Sequence, residues 1–351
     1  MALAEYDAGT PSFSTVRISD TTSSSNKYQG AVLLPSGKVV FVPHNADKVG
    51  VFDPATDRFS DVGYTVSGNA KYLGGVLLAS GKVVFVPYSA EKVGVFDPAT
   101  DRVTLVGPDI SGNAKYFGGV LLPSGKVVFV PNAAVKVGVF DPATDAFALV
   151  GASIASDSGY TPMYRGGVLL PNGKVVFVPT DADRVGLFDP ATETFSLVGP
   201  VLSGGDLKYV GGVLLPSGKV LCVPSNADQV GIFDPTTDTF ATVGATISGS
   251  GKYEGGVLLP SGKVLFVPRN TGLVGIFDPA TDTFATTGAG TPGSESYSGG
   301  VLLPSGKVVF VPSSRTTLGV FDPGNAEPAY AVEVGVPDAW RALLSPYFNK
   351  K

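Results

Sequence analysis

The chain carries one histidine, His44, and one cysteine, Cys222, in 351 residues. Ser-His-Asp or Cys-His catalysis pairs an imidazole with a nucleophile and an orienting carboxylate, and zinc or copper centres gather several His, Cys or Tyr ligands. A lone imidazole in a variable segment supplies neither, and His44 reads first as an exposed polar loop residue. Cys222 stands where six matching segments carry phenylalanine, so it reads as a small buried hydrophobe and can form no internal disulfide. No phosphate-cradling loop is present, because the Gly-Gly pairs open strands and no helix follows them. Neither a cofactor nor a metal is expected. What remains for chemistry are ionisable residues at unrepeated positions: Glu254 or Asp183 as acid or base, and Arg165 as anion holder.

Those positions stand out because nearly everything around them is repeated. The segment Tyr-X-Gly-Gly-Val-Leu-Leu-Pro-Ser-Gly-Lys-Val-Val-Phe-Val-Pro, then a short variable loop, then Val-Gly-Val-Phe-Asp-Pro-Ala-Thr-Asp, recurs seven times with small changes. The Phe-Asp-Pro marks fall at Phe52, Phe96, Phe140, Phe188, Phe233, Phe277 and Phe321, giving periods of 44, 44, 48, 45, 44 and 44 residues. A period of this length built from short apolar runs and tight turns specifies a propeller, one four-stranded blade per repeat. In the second repeat the strands are expected at 75–78, 82–86, 93–96 and 103–106. Pro-Ser-Gly-Lys supplies the positive φ of the first hairpin, and Asp-Pro-Ala-Thr-Asp presets and caps the second. Both turns then lie on one face of the disc, and the loop after the second strand and the linker to the next blade lie on the other. The Gly-Gly pair allows seven inner strands to converge near the axis.

The expected fold is therefore all-β, a seven-bladed β-propeller of four-stranded antiparallel blades in a single domain over 1–351. Phe13-Ser14-Thr15-Val16 matches fourth strands such as Phe59-Ser60-Asp61-Val62, so the amino-terminal strand, near 12–18, is expected to complete the last blade and close the ring. Residues 330–334 are the rival for that place. Residues 329–351 are otherwise expected to form an edge strand and tail, with a short helix over 337–344 laying Trp340 and Leu343 on the body.

The runs Leu-Pro-Asn-Gly-Lys-Val-Val-Phe-Val (170–178) and Val-Gly-Leu-Phe-Asp-Pro-Ala-Thr-Glu-Thr-Phe (185–195) resemble the kelch repeat, which also pairs a turn-glycine strand with a Tyr-Asp-Pro-type strand. The likeness extends over all seven repeats. It departs from the kelch pattern where Val42-Pro43 and its equivalents stand in place of a glycine doublet, and where Phe or Val stands in place of the fourth-strand tryptophan. The resemblance implies the seven-bladed architecture and carries no active site. A copper centre of the kelch-type oxidases needs paired His and Tyr ligands, and this chain has only His44.

Composition narrows the partners. Net charge is −5, with charged residues at 16% and no run of like charge, so neither a nucleic-acid groove nor an anionic-membrane patch is expected. No apolar stretch reaches membrane-spanning length and no leader pattern opens the chain, which reads as a soluble, cytoplasmic monomer.

Repeated residues read as structure first. The seven Asp-Pro turns are capped turns before they are calcium loops. The lysines after each hairpin glycine, Lys38 to Lys307, are solvated charges balanced by aspartates before they are an anion ring. The seven tyrosines before each first strand (Tyr28, Tyr72, Tyr116, Tyr164, Tyr209, Tyr253, Tyr297) either wedge between blades or form an aromatic rim for stacking. Variation is confined to the other face. The residue after each tyrosine runs Gln29, Leu73, Phe117, Arg165, Val210, Glu254, Ser298, and the first residue of the loop after the second strand runs His44, Tyr88, Asn132, Thr180, Ser225, Arg269, Ser313. The linker before the fourth blade is longer than most and carries Tyr160 and Met163, with Asp181, Asp183 and Arg184 expected beside it. A binding site, if there is one, is expected between blades three and four at the channel mouth. The leading functional expectation is a non-enzymatic binding or scaffolding propeller holding a protein or carbohydrate partner. The alternatives are an enzyme acting on a sugar-like molecule at the mouth, and a purely structural or engineered repeat scaffold.

Overall fold

The computed structural model describes residues 10–19, 25–154, 164–287 and 295–324. Seven four-stranded antiparallel sheets follow one another, and the inner strand of each blade neighbours that of the next until the seventh meets the first. Blade one is built from Tyr28–Leu33, Val39–Pro43, Val49–Asp53 and Arg58–Val62, and the pattern repeats. The ring closes as expected from the amino terminus. Ser12–Arg17 pairs antiparallel with Thr317–Asp322, Phe13 opposite Phe321 and Thr15 opposite Gly319, so it forms the outer strand of blade seven. The proposed carboxy-terminal edge strand and helix lie outside the described residues.

The second strands explain why these segments stay in register. In Val39–Pro43 every residue is buried, and the period of two divides them between two seams. Val39 and Phe41 pack with Val309 and Val311 of blade seven, whereas Val40 and Val42 pack with Val83 and Phe85 of blade two. The core is thus seven seams between sheets, and a strand slipped by one residue would exchange the contents of two of them. Cys222 fills the phenylalanine place in the seam of blades four and five, fully buried, its thiol pushed up to about 12 by that burial.

Inner strands begin three residues earlier than the sequence suggests, at Tyr72 rather than Gly75 in blade two. Tyr72 pairs with Pro87 and Gly75 with Phe85, and a bulge takes up the residues between. The two glycines have different tasks. The first, Gly74, has φ +85, and a Cβ on it would lie 2.8 Å from the Cα of Gly118 in the next blade. The second, Gly75, faces the seam, where a Cβ would meet Val32 and Val42 of blade one at 2.8 and 2.9 Å. Only the first serves the convergence at the axis.

On the hairpin face each lysine meets the aspartate of its own blade, at 3.3–3.8 Å from Lys38–Asp53 round to Lys307–Asp322. The other carboxylate oxygen of Asp53 accepts the N–H of Ala55 at 3.0 Å, and Asp57 takes the left-handed conformation at φ 51. Turn and ring charges are therefore satisfied within the blade, as the structural reading of both motifs expects.

Candidate functional site

At the opposite face, in every blade but the third, whose junction reaches residues outside those described, the loop after the second strand is sewn to the linker of the next blade. His44 N–H donates to Lys27 O in the linker of its own blade, and His44 O accepts the Lys71 N–H from the linker of blade two. This brings the two variable positions of neighbouring blades together around the mouth. The tyrosines beneath are not a rim. All seven are 0–3% exposed and stack within their blades, as Tyr28 does on Phe41 and Phe59 at 5.8 Å. Burial pushes the phenol of Tyr72 up to about 12. The wedge reading holds and the aromatic rim does not.

The variable residues are also less exposed than sequence reasoning expects, because they cap the strand that begins the next blade. His44 is 7% exposed, not a surface residue. Its Nδ1 lies 2.9 Å from Tyr72 O and its ring centre 5.4 Å from that of Tyr88. Burial holds its pKa below the ordinary value, and the Lys71 ammonium adds to the lowering, against the Tyr72 hydrogen bond. Thr180 Oγ1 donates to Tyr209 O at 2.7 Å, and Ser298 Oγ donates to Tyr28 O at 3.0 Å. Three different side chains thus satisfy the same carbonyl in three blades, so part of the variation is interchange of caps.

Five buried lysines that sequence reasoning missed lie in the same layer. Lys27, Lys71, Lys115, Lys208 and Lys252 each precede the seam tyrosine and are 1–4% exposed. Lys115 Nζ donates to Gly112 O at 2.7 Å and Ala90 O at 2.9 Å, and Lys252 Nζ to Gly249 O and Ala227 O at 3.0 and 2.9 Å. Burial lowers the pKa of Lys71, Lys208 and Lys252, and that of Lys115 to about 8. The available signal was a lysine before tyrosine in five of seven repeats, broken by Met163 and Ser296.

Two clusters retain free chemistry at the mouth. On blade six, Arg269 Nη1 meets Glu254 Oε2 at 3.0 Å, and its Nη2 lies 3.8 Å from Glu295 Oε1, so Glu254 and Arg269 form one ion pair rather than two separate candidates. At the seam of blades three and four, the Arg165 guanidinium lies over the Phe117 ring at 5.2 Å, a cation–π contact. Its Nε is buried without a hydrogen-bond partner. Asp181 shares that field: burial raises its pKa, while the Leu207 N–H, 2.5 Å from Oδ1, and the Arg165 charge lower it. Asp183 accepts the Leu202 N–H through its carbonyl at 2.6 Å. Arg184 is half-buried and makes no ion pair among the described residues. Tyr160 and Met163 lie outside the described residues.

The inner glycines show where the ring is looser. A Cβ at Gly30, Gly74, Gly166 or Gly211 would come within 2.8–3.0 Å of the next blade's glycine, and at Gly255 within 3.2 Å. At Gly118 and Gly299 it would meet nothing within 4 Å. The inner-strand glycines are therefore spaced more widely between blades three and four and between seven and one. The sheet seam of three and four stays tight, a Cβ at Gly167 meeting Val120 and Val130 at 2.8 Å. Between seven and one, Ala31 replaces the seam glycine and packs against blade seven; between three and four, Phe117 and Arg165 sit.

No protein-family model and no curated protein matches the chain. Solved structures do. A streptogramin B lyase superposes with TM-score 0.75 at 15% identity, over 89% of this chain and 97% of that one. The likeness is one of fold. A catalytically inactive histidine-to-alanine variant of virginiamycin B lyase from Staphylococcus aureus, with quinupristin, matches at TM-score 0.71 and 12% identity, over 89% of this chain and 99% of that chain. A fungal alcohol oxidase of the AA5 family, in complex with copper, matches at 0.64 and 15%, over 90% and 77%. Among the described residues no helix is long and apolar enough to cross a membrane.

Proposed function

We propose that this chain is a non-enzymatic binding or scaffolding propeller that holds a protein or carbohydrate partner on its variable-loop face, centred on the seam of blades three and four. The observation that carries this reading is Arg165. It lies half-buried on Phe117 and makes no ion pair among the described residues, where the inner glycines of blades three and four stand further apart. A cation fixed against an aromatic ring beside a partly compensating carboxylate is suited to a carboxylate or carbonyl group of a partner, because little ordering remains to be done on binding. The kelch-like pattern of the repeat belongs to the same reading, in which the blades are a rigid support and the loops select the partner. The test is capture of partners from the native source by the wild type and by Arg165→Ala combined with Tyr160→Ala. Loss of at least one partner supports the reading, and unchanged binding of every partner overturns it.

The lyase neighbours favour a second reading, an enzyme acting at the mouth. One of them is inactive when a histidine is replaced, whereas the single histidine of this chain is engaged with Tyr72 O. Acid–base work would then fall to Glu254 or Asp183. Loss of a detected turnover in Glu254→Gln supports that reading; full turnover in both Glu254→Gln and Asp183→Asn removes it.

A further inference from the structure

We infer a separate saccharide-binding site at the outer rim between blades one and two, with Tyr64 as its stacking platform. Tyr64 is 71% exposed, the one aromatic among the large exposed apolar side chains of the described residues. Other linkers carry Pro108, Ala152, Pro200 and Ala245 at its position, so the ring is not a demand of the repeat. It is nevertheless held in place: the Arg102 guanidinium lies 5.5 Å from the ring centre, with Nη2 3.5 Å from the hydroxyl. An ordered aromatic in water is an apolar platform kept ready at a cost in exposed area.

The ring borders a groove of about 570 Å³ between the linker and blade two, within the range of small-ligand clefts, roughly 300–1,000 Å³. Its chemistry selects the ligand class. The two lysines in its wall are already engaged, Lys71 Nζ on Gly68 O at 2.7 Å, and Lys92 Nζ on Gly107 O at 3.0 Å and Asp109 at 3.1 Å. The Arg102 guanidinium is engaged with the ring itself, and the Glu91 carboxylate in the same wall opposes an anionic ligand. The side chains of Ser67 and Asn69, both exposed, have no protein partner among the described residues and offer hydroxyl and amide groups. Leu105, 56% exposed, adds an apolar wall. One aromatic face, uncommitted neutral hydrogen-bonding groups and cations already engaged beside a carboxylate match a neutral pyranose. Its axial C–H bonds meet the ring face opposite Arg102 while its hydroxyls exchange hydrogen bonds with the Asn69 amide and the Ser67 hydroxyl.

The groove shares no residue with the Arg165 cluster and stands or falls independently of it. Affinity electrophoresis of the full chain through gels containing dextran, galactomannan, arabinoxylan or, as a polyanion, alginate tests it. Retardation by at least one neutral polysaccharide is expected, weakened about tenfold by Tyr64→Ala, retained by Tyr64→Phe and unaffected by Arg165→Ala. Because Tyr64 is exposed, an unchanged melting temperature separates loss of binding from loss of fold. Absence of retardation in every neutral gel, equal retardation of Tyr64→Ala, or retardation in alginate alone overturns the inference.

Discussion

Replacing Gly75 by alanine tests whether the seams are packed as tightly as the geometry indicates. Gly75 is not at positive φ, so its backbone accepts alanine, and relief of glycine's chain entropy alone would stabilise the protein by roughly 0.5–1 kcal/mol. The new methyl would sit 2.8 Å from Val32 Cγ2, 2.9 Å from Val42 Cγ2 and 3.3 Å from Val83 Cγ1. These atoms belong to three β-branched side chains in strands buried within the seam, which have little freedom to turn away. Overpacking of this kind costs about 1–3 kcal/mol, so the clash wins and the net loss is about 1–2 kcal/mol. The measurement is urea unfolding at constant m-value, with Val42→Ala, the double variant, and Ala31→Gly as a control at the seam of blades seven and one, where alanine is the native residue. The double variant should lose less than the sum of the singles. Ala31→Gly should lose stability too, so that alanine suits one seam and glycine the other. A Gly75→Ala protein as stable as the wild type, or costs that add within about 0.5 kcal/mol, would refute the reasoning.

Acidification should reveal His44. Its folded pKa is depressed, so the unfolded chain takes up the proton first, and stability falls as pH drops through the ordinary value of 6.5; His44→Asn, the residue of blade three, should flatten that fall in pH-dependent urea melts. Lys115 acts at the other end. With a folded pKa near 8 against an ordinary 10.5, the unfolded state binds the extra proton between those values, so stability rises with pH across that window, and Lys115→Met should remove this part of the rise. Removal of residues 12–17 should strip Phe13 from Tyr297 and Phe310 and bare the edge of Thr317–Asp322. The expected outcome is a lower melting temperature with concentration-dependent aggregation, read by light scattering.

The repeat made the architecture legible because each local signal agreed with the others: a turn glycine, a capped Asp-Pro turn and a buried apolar strand recur in fixed order. The match of Phe13 to the fourth strands located the closing strand for the same reason. What a period conceals is which of two faces a side chain takes at a bulge. Gly74 and Gly75 look alike in sequence, and only the register shift after Tyr72 sends one to the axis and the other to the seam. The mouth was legible as a place but not as chemistry. His44, Thr180 and Ser298 read as surface variety, yet all three serve a carbonyl of the next blade, a partner 28 to 270 residues away that no local pattern names. Lys115 and its equivalents were passed over because a lysine before an apolar strand looks solvated. Their burial depends on carbonyls supplied by a linker and a neighbouring loop. Phe117 and Arg165 were singled out separately, and the stack between them is a product of the fold.

The most direct test of the binding role is a high-resolution structure of the protein purified from its native source with its partner retained. The account predicts a partner group seated on the variable-loop face, its carboxylate or carbonyl oxygen on Arg165 beside the Phe117 ring. A partner seated on the hairpin face among the paired lysines and aspartates, with the Arg165 seam holding only water, would contradict it.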